Sequence, residues 1–187
     1  DMAKVSSVLK HHSTESLCDF FDTELSRLEF EVWDEIACKQ IQGVLGTGFP
    51  NEEEYPVGKL EEVAANDELA SLVDTENICS AIQSGKDTLQ LEESSSFFPN
   101  QNLKAMVGIA EHVHTCRLYV IKQQWTKLEA FIKDLDFNNF PASCENACSE
   151  LRRIQREVNE RGVRERLVIA LNKGSLLQSG KIGELDL

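Results

Sequence analysis

The stretch EHVHTC at 111–116 places His112, His114 and Cys116 close together, and these residue types could bind a metal. On a helix, His112 and Cys116 share a face, whereas His114 points elsewhere. A closed zinc site needs four ligands, and no second pair stands at matching spacing. The reading is a polar patch beside a core cysteine, with no metal or cofactor. Cys144 and Cys148 are one helical turn apart and read as small packing residues rather than a redox pair. The six cysteines include no CxxC pair and fall in apolar, helix-like segments. That pattern predicts reduced thiols in a cytoplasmic protein.

Nucleophilic and phosphate chemistry find little footing. The chain has no GxSxG and no Gly-rich phosphate loop. GVLGTGFP at 43–50 contains Gly-x-Gly, but it follows a helix rather than a strand, so it reads as a helix end. Glu52, Glu53 and Glu54 sit where a helix starts, and carboxylates there complement the helix dipole. No catalytic residue is assigned, and the chain is expected not to be an enzyme.

Arginine is the most concentrated chemistry. LRRIQREVNERGVRER at 151–166 carries Arg152, Arg153, Arg156, Arg161, Arg164 and Arg166. The pairs Arg153–Glu157, Arg156–Glu160, Glu157–Arg161 and Glu160–Arg164 are four apart, which suits a solvated face of ion pairs. Helical spacing turns Leu151, Ile154 and Val158 inward. Arg152, Arg153 and Arg156 are then the candidate partner-binding residues, suited to an acidic protein or a neighbouring repeat unit.

Overall charge limits the partners. Residues 1–99 hold 21 acidic and 6 basic side chains, and residues 100–187 hold 11 and 13, so −15 and +2 make up the total of −13. An acidic first half argues against nucleic acid or an anionic membrane, since both select a cationic face. No apolar run reaches the ~18 residues that a membrane span needs, and no signal-peptide pattern is expected.

The elements that must position these residues are helical. Gly and Pro number 10 and 4 in 187 residues, which favours long regular elements. Leu17, Phe21, Leu25, Leu28, Val32, Ile36 and Ile41 recur at three- and four-residue steps and predict a helix over 14–45. Gly46, Gly48 and Pro50 would end it. A second long helix is predicted over 102–137, capped by Asn102, with a stripe that includes Leu103, Met106, Val107, Val113, Leu128 and Ile132.

The two tryptophans suggest a duplication. WDEIACKQIQGVLGTGFP at 33–50 and WTKLEAFIKDLDFNNFP at 125–141 each run from Trp to Phe-Pro. Trp33 pairs with Trp125, Phe49 and Pro50 with Phe140 and Pro141, and Gly85 with Gly174, about 90 residues apart. A helix break is expected at Val73, Asp74 and Thr75 in the first copy and at Gly162 in the second. Gly85 and Gly174 would each sit just past a helix C-terminus.

The predicted fold is all-α: two similar units, each with a long, a medium and a short helix, forming a bundle or short solenoid. The helices are expected at 14–45, 57–72 and 75–84, then at 102–137, 142–161 and 163–173. The domain reading is 14–86 for the first unit, 87–101 for an acidic linker, 102–175 for the second unit, and 176–187 for a tail or the start of a further unit. The function that follows is a non-catalytic interaction scaffold within a larger intracellular protein. The alternative is a helical sensor domain for a small molecule or lipid, which would need a cavity lined by few polar groups.

Overall fold

A computed structural model describes residues 14–46, 60–94, 100–136, 140–141 and 144–183. All the described elements are helices: α1 (Thr14–Gly46), α2 (Leu60–Ala65), α3 (Asp67–Ser71), α4 (Glu76–Ser94), α5 (Gln101–Ile121), α6 (Trp125–Lys133) and α7 (Glu145–Gly183). The chain is all-α. No described helix is long and apolar enough to cross a membrane.

Short polar side chains set the helix starts. Asn66 Oδ1 accepts the backbone N–H groups of Glu68 and Leu69 at 2.9 and 3.3 Å and opens α3. Asp74 accepts Asn77 N–H at 3.0 Å ahead of α4. Asn100, not Asn102, caps α5, accepting from Asn102 N–H at 2.9 Å and Leu103 N–H at 3.2 Å. Each satisfies donors that the first helical turn would otherwise leave unpaired. The expected break at Val73, Asp74 and Thr75 is present.

The predicted helix over 102–137 is two helices. Gln123 stands between them with a φ of 52°. Gln123 N–H donates to Val120 O and Gln124 N–H to Tyr119 O, both at 2.9 Å. That pair of bonds is the Schellman closure, which places a left-handed residue just past the helix end. A non-glycine residue there costs roughly 1–2 kcal/mol, and the Gln123 amide partly offsets this by donating to Ala64 O at 3.0 Å.

All three glycine-based helix ends are corrected. α7 continues through Gly162 and Gly174 without interruption, and α4 continues through Gly85 to Ser94, into the segment read as a linker. Gly85 serves a helix crossing instead. A Cβ there would lie 2.6 Å from Val107 Cγ2 and 3.2 Å from Ile41 Cδ1, so its absence lets α4 lie close against α5 and α1.

One main core cluster draws on both halves of the sequence. Ile41, Leu45, Ile78 and Ile82 are buried in it together with Leu103, Met106, Val113, Leu128, Leu151 and Ile154. A smaller cluster of Val63, Leu69 and Val73 packs with Ile121. The two halves do not present the same order of elements: α1 is followed by two helices of 6 and 5 residues, whereas α5 is followed by the 9-residue α6.

The repeat markers also occupy unlike places. Trp33 lies within α1, 40% exposed, its ring edge-on to Phe30. Trp125 opens α6, half-buried beneath the Arg161 guanidinium, 5.0 Å from the ring centroid. The two paired tryptophans therefore sit in unlike surroundings. Phe140 packs partly buried on the core, and Pro141 O accepts Cys144 N–H at 3.0 Å. Phe49 and Pro50 lie outside the described residues.

Candidate functional site

The metal-type residues point into different surroundings. His112 packs edge-on to Phe131 at 5.7 Å, and burial pushes its pKa down. His114 Nδ1 is buried with no hydrogen-bond partner, and burial, then Arg117 and Lys122, hold its pKa low. The Cys116 thiol is pushed up to about 12 by burial and by the Glu150 carboxylate. Cys144 and Cys148 are buried, and all six cysteines are free. Among the described residues, no three His, Cys, Asp or Glu side chains gather where they could hold a metal.

Two buried polar contacts were not foreseen. Arg117 on α5 has a side chain 0% exposed. Its Nε and Nη2 donate to Glu150 Oε1 and Oε2 on α7, both at 2.8 Å, and its Nη1 donates to Asp74 O at 2.8 Å. One guanidinium thus joins α5, α7 and the turn before α4 through a bidentate pair. The only sequence sign was a lone basic residue amid Val113, Cys116 and Val120.

At the other end of α5, the contact is between like charges. Asp34 Oδ2 accepts the Asn100 side-chain amide at 2.8 Å, and Glu92 Oε2 accepts Asn100 N–H at 3.0 Å. Glu92 also faces Asp34 within hydrogen-bonding reach. Burial, and then Asp34, raise the Glu92 pKa, while the Asn100 N–H opposes the shift. Asp34 Oδ1 is buried without a conventional partner. A protonated Glu92 can donate to the Asp34 carboxylate, which an ionised one cannot.

The predicted arginine site is divided. Arg152 and Arg156 are exposed, whereas Arg153 is nearly buried and pairs with Glu157 at 3.1 Å. Glu157 also accepts Leu60 N–H at 2.7 Å. Arg161 reaches Glu61 on α2 and Glu165 on α7, each at 2.6 Å, and Arg164 reaches Glu61 at 3.4 Å. Leu151, Ile154 and Val158 face inward as expected.

The most extensive unassigned feature is apolar. Phe21, Leu25, Leu28, Val32 and Ile36 form a stripe on α1, each about half exposed. Of the series that predicts this helix, Ile41 reaches the core, together with Ala37 and Leu45. At 100° per residue, the two sets lie ~180° apart around the helix. Glu24, Glu31 and Glu35 edge the outer stripe on one side, and Asp22 and Glu29 on the other. The signal was present in the sequence: α1 carries two apolar stripes, and only one can face the bundle.

α7 also carries exposed apolar residues beyond its core contacts, with Val168 and Ile169 exposed on other sides, and its outer side mixes arginine with Glu160. Val163, Leu167 and Leu171 are exposed on the side away from Leu151 and Ile154. Arg152 and Arg156 precede them on that same outer side. The two outer stripes project from opposite ends of the bundle. α1 enters beside Asn100 at the α5 N-terminus, through Asp34, and α7 leaves beside α2, past Arg161 and Glu61.

Cavities near α7 do not resemble a ligand pocket. The cavity enclosed by Leu60, Trp125, Val158 and Arg161 holds about 10 Å³, less than a small ligand needs. The hollow of about 410 Å³ at Gln123, Trp125, Lys127 and Glu165 opens to solvent. Comparison with known proteins gives no match to the chain among protein-family models, curated proteins or solved structures.

Proposed function

We propose that the chain is a non-catalytic helical segment of a larger intracellular protein and acts as an interaction scaffold. The observation carrying this reading is the outer stripe of α1, Phe21, Leu25, Leu28, Val32 and Ile36, exposed on the stretch of the helix that precedes its core contacts at Ala37, Ile41 and Leu45. An exposed contiguous apolar patch rimmed by charge is the usual mark of a protein contact. The inner polar groups are engaged differently: Arg117 with Glu150, and Asp34 and Glu92 with Asn100, tie helices to one another. Partners would be held along α1 and α7.

The test is site-specific photo-cross-linking in cells. A photoreactive residue in place of Leu25 or Leu28 should give discrete protein adducts, and one at the exposed Gln83 on α4 should not. Equal labelling from all three positions would remove the support for an interaction face on α1. Leu25→Asp should leave stability within about 0.5 kcal/mol, as expected of an exposed position.

A further inference from the structure

Resting on the interaction reading above, we infer that the partner of the outer α1 stripe is the outer α7 stripe of a second copy of this chain. The spacing matches. Phe21, Leu25, Leu28 and Val32 follow one another at four, three and four residues, and Val163, Leu167 and Leu171 at four, so each presents the ridge that packs helix on helix.

The charges match as well. Residues 18–36 hold seven carboxylates and one arginine, Arg27, which is drawn to Glu24 and Glu31 of the same helix. Residues 152–171 of α7 hold six arginines and three glutamates; Arg152, Arg156 and Glu160 share its outer side, with Arg166 and the Glu61-paired Arg164 nearby. Two α1 stripes set together would oppose acidic rows, whereas α1 against α7 sets acidic rows beside a helix of net positive charge.

Position gives the third argument. The stripes leave the bundle at opposite ends, so neither covers the other within one chain. A second copy brings them together, and α1 of one copy then lies on α7 of the next. That contact is heterologous, so it propagates head to tail or closes into a ring.

The experiment is analytical ultracentrifugation of the whole chain and two double variants, L25D/L28D on α1 and L167D/L171D on α7. The wild type should associate with rising concentration. Each variant alone should raise the apparent dissociation constant at least about tenfold. Mixed together, the variants should form a 1:1 dimer that grows no further, because the mixture holds one intact stripe of each kind. A wild type monomeric at its highest soluble concentration, a variant that associates as the wild type does, or a mixture that stays monomeric would each overturn the inference.

Circular dichroism checks that each variant is folded. If one is not, R152E/R156E replaces it. This reversal should weaken association at low salt, and the difference should vanish near 1 M salt, where the Debye length is about 3 Å. An unchanged salt response would count against the pairing. A monomeric wild type whose α1 still gives discrete photo-adducts with a different protein would sink self-pairing and leave the interaction reading standing.

Discussion

The two ends of α5 solve the burial of charge in opposite ways. At the C-terminal end, Arg117 and Glu150 bring opposite charges together, and Asp74 O takes a third donor of the guanidinium. At the N-terminal end, Asp34 and Glu92 bring like charges together around Asn100. The first contact is complete in its ionised form. The second sets two carboxylates around one Asn100, which favours a proton on Glu92. The like-charged end has pH dependence built in, because burial and Asp34 raise the Glu92 pKa.

The largest effect expected is at the ionised end. Arg117→Met should destabilise the chain by about 3–5 kcal/mol, because it leaves Glu150 buried without its partner. The denaturant midpoint should fall with an unchanged m-value. R117M/E150L should recover most of the loss, since an apolar pair of similar volume removes the stranded charge. A double variant as unstable as the single would mean that the guanidinium acts mainly through Asp74 O.

Between the two ends, the crossing at Gly85 tests whether they share one packed body. Gly85→Ala pushes a methyl group to within 2.6 Å of Val107 Cγ2. A cost of about 1–3 kcal/mol is expected from overpacking. A neutral or stabilising result would show that α4 and α5 separate easily, and that the two ends are less tightly coupled than their shared core implies.

Periodicity made much of the α5, α6 and α7 packing legible. Leu103, Met106, Val113, Leu128, Ile132, Leu151 and Ile154 face the core as their spacing predicted. The same rule failed on α1, because an apolar stripe announces a buried face only where something covers it. Phe21, Leu25, Leu28 and Val32 have the spacing but no described residue over them. The break at Gln123 was hidden because glutamine rarely takes a left-handed conformation, and its stabilising contact with Ala64 comes from far along the chain. Glycine misled for the converse reason. Its flexibility permits a break but does not cause one, and the sites at Gly85 and Gly162 stayed helical. Arg152, Arg153 and Arg156 were legible as a helical row, but the burial of Arg153 against Glu157 was not.

The like-charged end gives a smaller effect with a definite sign. The Glu92 pKa is raised above the ordinary value of 4.5 in the folded chain. The folded state then binds more protons than the unfolded state between the ordinary and the raised value. Stability from this group is fully present below the ordinary value, falls as pH rises through that window, and levels off above it. Glu92→Gln presents a neutral amide donor to Asp34 at every pH. The variant should be about 1 kcal/mol more stable than the wild type at neutral pH, with the advantage shrinking in acid. A variant less stable at neutral pH, or a wild-type profile without the fall, would show that the two carboxylates do not share a proton.

The smallest effect concerns the α7 exit, beyond the ionised end. Gly162 lies inside a continuous helix, where glycine costs roughly 1 kcal/mol relative to alanine. A Cβ there would meet Glu129 Oε1 at 3.6 Å and Arg166 Nη2 at 4.0 Å, ordinary contacts that require no rearrangement. Gly162→Ala should therefore stabilise the chain by about 0.4–1 kcal/mol, chiefly by restricting the unfolded state. Gly85→Ala should do the opposite, although both glycines were expected to mark helix ends. The pair separates two causes of a mid-helix glycine, since one is required by a neighbour and the other is not. Helicity near 222 nm should rise slightly for Gly162→Ala if α7 is continuous in solution. If the variant instead lowers both stability and helicity, α7 bends or ends at Gly162, and the outer stripe of Val163, Leu167 and Leu171 would not lie in line with Arg152 and Arg156.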